Sequence, residues 1–296
     1  MKLTRRTFGM GIAVAALAGA GYYGGILATQ VAPTYANLAY GTDERNVLDI
    51  YLPEGTGPFP YVMEFHGGGF VVGDKAGNPV QAEILDSGIA VVRINYRFSS
   101  TAIWPAQADD SLAAVAFISE KGAEYGIDPT RAALWGKSAG GFLAASAALS
   151  LTEMGKPVQG VANFFGPMDF SVMDQDMADL GLTPAMGLTN DIASAESALI
   201  GFAVGDDPAK ARAIGPIGRL DGKSLKLPPL MVRHGDADTF IAYTQGKRLA
   251  DAWAASDPTA IVDFAVVAGA SHGSSEFGQS GVVTPLVAFL TNVLKP

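Results

Sequence analysis

R-A-A-L-W-G-K-S-A-G-G-F-L, residues 131–143, spells strand, sharp turn and helix in one short run. An apolar stretch ends at Trp135, the pentapeptide Gly136-Lys137-Ser138-Ala139-Gly140 follows, and an alanine-rich helical pattern continues to about Ser150. The glycines flanking Ser138 carry the turn, because a strand folding straight back into a helix leaves no room for Cβ atoms where the two backbones meet. A serine at that apex projects its hydroxyl into open space, where a base and a substrate reach it. G-x-S-x-G alone recurs by chance, so the rest of the chain must supply a base, an acid and donors for an oxyanion.

Outward from this stretch the chain alternates strands and helices. Residues 46–52 alternate apolar and polar side chains, as a half-buried edge strand does, and the globular pattern begins at Tyr40. Further strands are expected at 61–65, 89–96, 158–165, 229–233 and 261–267, with helices at 79–87, 106–123, 245–254 and 282–294. That rhythm predicts an α/β fold, a mostly parallel central sheet with helices on both faces. Between residues 168 and 227 the rhythm loosens into a segment rich in aspartate, methionine and glycine, which reads as a partly helical excursion over one end of the sheet: a lid or binding element, or a simple crossover. The sequence contains no internal repeat and no second domain.

Composition narrows the chemistry. The 296 residues are 49% hydrophobic, enough for a large core, and the formal net charge is −9, which excludes nucleic acid as an expected partner. No cysteine is present, so disulfides, thiolate metal sites and cysteine nucleophiles are excluded. No metal or cofactor is expected. Thr4-Arg5-Arg6-Thr7-Phe8 precedes a run free of charge until Asp43, and resembles a twin-arginine export signal. Residues 1–36 are therefore expected to be a signal, cleaved after Ala20 or Ala36, or an uncleaved membrane tether, with the protein exported to the periplasm or beyond. Residues 37–296 are expected to form the domain. Residues 19–24, G-A-G-Y-Y-G, match a dinucleotide fingerprint, but they lie in the targeting segment rather than in a strand-turn-helix, so the match is discarded.

The only three histidines, His66, His234 and His272, each fall at the end of an expected strand beside a glycine. Carboxyl ends of parallel strands share one edge of the sheet, so all three should converge on Ser138. His66 is tied to a run of three glycines, and His234 precedes a loop with two aspartates. His272 sits on a small turn after the last strand, free to reach Ser138, and is the expected base. Its carboxylate partner is expected to be Asp238, with Asp236 as alternative and more of a turn former. Oxyanion donors are expected from the amide of Ala139, at the helix start, and from the turn at residues 66–69.

H-G-G-G-F at 66–70, G-K-S-A-G-G at 136–141, H-G-D-A-D at 234–238 and S-H-G at 271–273 together resemble the HGGG-type esterase/lipase branch of the α/β-hydrolase family, and are similar to its feruloyl-esterase-like carboxylesterases. The resemblance spans residue 40 to the carboxyl terminus. It implies a Ser138, Asp238, His272 triad, with Gly68, Gly69 and Ala139 as oxyanion donors, and it makes 168–227 a variable helical cap that sets substrate choice. Lys137 departs from the pattern, since many lipase-like relatives carry aspartate there. The expected function is hydrolysis of a small-molecule carboxylic ester through an acyl-enzyme. A serine peptidase or amidase of the same fold, and a tethered binding protein on a hydrolase scaffold, are the alternatives.

Overall fold

The structure is a computed structural model that describes residues 31–295. The expected export or anchor segment and the discarded glycine motif lie outside the described residues up to position 30. Among the described residues, eight strands form one sheet: β1 (Tyr35–Ala39), β2 (Val47–Tyr51), β3 (Phe59–Phe65), β4 (Ala90–Ile94), β5 (Ile127–Lys137), β6 (Gly160–Phe164), β7 (Leu230–Gly235) and β8 (Val262–Val267). Their order across the sheet is β1-β2-β4-β3-β5-β6-β7-β8. The β1/β2 and β2/β4 pairs are antiparallel, and every other pair is parallel.

The parallel strands read as continuous apolar runs because both of their faces are covered. Met63, Leu134, Val161 and Val232 point to one side, where they pack with α2 (Ala106–Lys121), α3 (Ala139–Glu153) and α8 (Thr244–Ser256). Val62, Ala133, Ala162 and Met231 point to the other, against α1 (Ala82–Asp86) and α9 (Ser280–Val293). Each of these larger side chains stabilises the fold by about 1.5–3 kcal/mol through removal from water. Helix α3 is buried almost all round, which is why it is built from alanine, glycine and leucine and shows no polar face. This is the α/β architecture expected from the sequence. Among the described residues no helix is long and apolar enough to cross a membrane.

Two expectations are corrected. The strand expected at 46–52 is not an edge: β2 lies between β1 and β4, with Leu48 and Ile50 fully buried. The edge is β1, which begins five residues before the expected onset of the globular pattern at Tyr40 and runs across the boundary expected between residues 36 and 37. Its five residues, YANLA, carry too little alternation to stand out beside the apolar tail.

The excursion at 168–227 holds four short helices: α4 (Met173–Asp179), α5 (Ala195–Ile200), α6 (Pro208–Ile214) and α7 (Pro216–Leu220). Polar contacts centred on the buried Gln245, Asp169 and Asp176 fasten it. The side-chain oxygen of Gln245 accepts from the amides of Met168 and Asp169 at 2.8 Å each, and its Nε2 donates to Asp176 at 2.8 Å. Arg248 pairs with the same Asp176 at 2.7 Å, and Arg212 pairs with Asp169 and Asp221.

Candidate active site

Strand β5 ends at Lys137 and α3 begins at Ala139, so Ser138 alone makes the turn. Its backbone sits at φ 54°, ψ −125°, a conformation that costs an L-residue strain and that surrounding structure must impose. The imposition is steric. A Cβ on Gly136 would lie 2.0 Å from the Gly140 carbonyl oxygen, and one on Gly140 would lie 2.0 Å from the Phe65 carbonyl oxygen. Only glycine at both positions lets helix, β5 and β3 approach this closely.

The three histidines do gather at the carboxyl edge, in different capacities. His272 Nε2 lies 2.9 Å from Ser138 Oγ, and its Nδ1 lies 2.7 Å from Asp238 Oδ2. The imidazole is held between aromatic rings, stacked on Phe240 at 5.0 Å and met edge-on by Phe165 at 4.9 Å. Asp238 is buried, and its Oδ1 accepts from the amides of Phe240 and Ile241 at 2.8 and 3.0 Å. Burial opposes its charge, yet hydrogen bonds from His234 and His272 hold its carboxyl well below the usual aspartate range. Asp236, the alternative, instead accepts from the Gly269 amide at 2.7 Å and pins the loop after β8. His234 is inside β7 rather than beyond it. Its fully buried ring bonds the Ile241 carbonyl at 2.8 Å, closing the loop that presents Asp238.

His66 directly follows β3, and the neighbouring β5 leads to Ser138 in register, Phe65 opposite Gly136. That pairing brings the glycine turn against the serine: a Cβ on Gly67 would stand 3.3 Å from Ser138 Cβ. Gly68 and Gly69 take positive φ, 118° and 58°. Among the described residues, the backbone amides of Gly68, Gly69 and Ala139 donate to no protein carbonyl outside a helix or strand, and Ala139 opens α3, whose first amides lack intrahelical partners. The Lys137 ammonium turns away, over the Trp135 ring at 4.6 Å and 3.8 Å from Glu64.

Sequence patterns did not mark Phe165 and Phe240, which flank His272, nor Arg45, which contacts His66, nor Glu196. Glu196 lies in the first turn of α5, whose Ala195 stands against Gly69, 3.4 Å from where a Cβ on that glycine would be. Burial pushes the Glu196 carboxyl up, Asp174 adds to this, and His272 opposes it. A cavity of about 630 Å³ at the amino ends of the strands, among Tyr61, Leu112, Val115 and Val158, is remote from this chemistry. Among the described residues no group of three or more histidine and carboxylate side chains is arranged to hold a metal ion. A hydroxyl bonded to an imidazole that is bonded to a buried carboxylate, beside unpaired amides, is an arrangement that activates an alcohol and stabilises a developing oxyanion.

The BD-FAE family model matches residues 48–253, from β2 to within α8. The chain belongs to the BD-FAE family. Among relatives of this BD-FAE member, the esterase LipQ of Mycobacterium tuberculosis is 28% identical over 256 residues, covering 80% of this chain and 56% of LipQ. The chain thus spans about half the length of the curated relatives it matches. A solved truncated carbohydrate esterase from gut microbiota superposes with a TM-score of 0.76 at 26% identity, covering 89% of this chain and 97% of that one. The carboxylesterase EstE1, cloned from a metagenomic library, gives 0.67 at 24% identity over 84% and 85% of the two chains, and shares the fold. The BD-FAE member accordingly has the α/β-hydrolase fold that the sequence motifs imply.

Proposed function

We propose that this chain is a serine carboxylic-ester hydrolase with Ser138 as nucleophile, His272 as base and Asp238 as its orienting carboxylate. One observation carries the proposal: a single imidazole bonds Ser138 Oγ through Nε2 and the buried Asp238 through Nδ1, at 2.9 and 2.7 Å. The esterase names of relatives and structural neighbours support the same reaction class.

Ser138 Oγ attacks the ester carbonyl as its proton passes to His272 Nε2. The carbonyl oxygen becomes an oxyanion, facing the amides of Gly68, Gly69 and Ala139. The tetrahedral centre collapses, the alcohol leaves with the proton from His272, and an acyl-Ser138 ester remains. Water then attacks, giving its proton to His272, and the carboxylic acid departs as Ser138 recovers its hydrogen. Asp238 keeps the proton of neutral His272 on Nδ1 and stabilises the imidazolium as it forms.

Substrate choice falls to the excursion, whose α5 stands over Gly69. The likeness to a carbohydrate esterase makes a carbohydrate-borne ester one test compound. A panel of short-chain p-nitrophenyl esters, aromatic acyl esters and a carbohydrate ester, run beside aminoacyl amides, tests the proposal: turnover of esters well above amides is expected, and the reverse ranking would assign a peptidase or amidase. Failure of a fluorophosphonate to label Ser138 in folded protein would point instead to a binding protein. The twin-arginine-like start supports export as part of the same proposal, and a full-length chain found in the cytosol on cell fractionation would contradict it.

A further inference from the structure

The turn that carries Gly68 and Gly69 is bounded by His66 at one end and Gly73 at the other, and one guanidinium grips both. Arg45 Nη2 lies 3.3 Å from His66 Nε2 and donates to the Gly73 carbonyl at 3.1 Å. Its Nε donates to the Tyr96 carbonyl at 2.7 Å, and its plane covers the Phe98 ring at 3.6 Å. The His66 ring is stacked on Tyr96 at 4.3 Å, and the Tyr96 hydroxyl donates to the His66 carbonyl at 2.9 Å.

Arginine only donates, so His66 Nε2 must present a lone pair to it. The ring proton then sits on Nδ1, which lies 2.6 Å from the Gly67 carbonyl oxygen and donates to it. The Gly67–Gly68 peptide is planar, and in a trans peptide the N–H points opposite to the C=O. Tying down the Gly67 oxygen therefore aims the Gly68 amide the other way.

We propose that Arg45 is a positioning residue for the oxyanion site, acting through the His66 tautomer to fix the plane of the Gly67–Gly68 peptide. This rests on the ester-hydrolase proposal for its catalytic consequence but not for its structural content. Burial, with Arg45 adding to it, pushes His66 down to about 4, against the pull of the Gly67 carbonyl, so the ring stays neutral and the tautomer defined across neutral pH. Arg45 touches no reacting atom in this account.

Three measurements test it. In the wild-type protein, 15N NMR of His66 should show protonated Nδ1 and unprotonated Nε2, and the opposite tautomer would overturn the proposal whether or not any ester is turned over. Arg45→Gln should lower kcat by about 10- to 100-fold, the scale of a misplaced oxyanion donor, with KM within about 3-fold. In an His66→Asn background, where no tautomer remains to be set, the same Arg45→Gln change should cost less than about 3-fold in kcat. Equal penalties in both backgrounds, or a loss confined to KM, would overturn the proposal. Should Arg45→Gln fail to fold, Arg45→Met, which keeps much of the side chain's length and offers His66 no donor, replaces it in the same comparison. Absence of ester turnover by wild-type protein would remove the ester-hydrolase proposal and leave the NMR result to decide this one.

Discussion

Asp238 divides its two carboxylate oxygens between partners: Oδ2 meets His272 Nδ1 at 2.7 Å, while Oδ1 accepts from the amides of Phe240 and Ile241. The division dictates what an amide would do in its place. In Asp238→Asn the carbonyl oxygen must stay with the two backbone amides, so the NH2 group faces His272 Nδ1 and forces the ring proton onto Nε2. A protonated Nε2 cannot take the proton of Ser138. We expect kcat to fall by about 10³- to 10⁴-fold, with the fold retained. Asp236→Asn, whose carbonyl can still accept from Gly269, should stay within about 3-fold of wild type. Steady-state kinetics on one ester checks both, and equal losses would reverse the assignment of the two aspartates.

His66 makes stability depend on pH. Burial depresses its folded pKa to about 4, whereas an unfolded imidazole titrates near ~6.5. Between those values the unfolded chain binds a proton that the folded chain refuses, so stability is complete above the unfolded pKa and is lost as pH falls through this window, by up to about 3 kcal/mol. Urea unfolding of wild type and His66→Asn at several pH values should show a steeper decline for wild type between about pH 6.5 and 4. Identical slopes would contradict a neutral, buried His66.

The excursion depends on Gln245, which is fully buried and satisfies the amides of Met168 and Asp169 together with Asp176. Gln245→Leu leaves two backbone donors without a partner and weakens the hold on a buried carboxylate. The expected loss is about 3 kcal/mol of unfolding free energy, with the excursion becoming the first segment cut in limited proteolysis. A loss below about 0.5 kcal/mol would show that the excursion is held by its apolar contacts alone.

Much of this architecture is legible in the sequence because its signals are local or obligatory. Gly136 and Gly140 announce a close approach that no other residue permits, and His66, His234 and His272 mark the carboxyl edge of the sheet. Parallel strands covered on both faces leave apolar runs that few other structures produce. What escapes is set by tertiary partners. β1 shows little pattern because an edge strand of five residues buries almost nothing. Arg45 is twenty-one residues from His66 in the chain and meets it only because β2 and β3 flank β4 in the sheet. Phe165 and Phe240 look like ordinary core aromatics until the rings are seen on either side of His272. The choice between Asp238 and Asp236 could be argued from turn-forming tendency, but it is the hydrogen bonds that separate a carboxylate facing an imidazole from one pinning a turn.

Everything in the proposed reaction turns on Ser138 Oγ as the nucleophile. The most direct measurement of that role is the turnover of a short-chain p-nitrophenyl ester by Ser138→Ala beside wild type, with circular dichroism and thermal melting confirming the fold of both. Ser138→Ala should lower kcat by about three to six orders of magnitude with the melting behaviour retained. Turnover by Ser138→Ala within about 10-fold of wild type would contradict it.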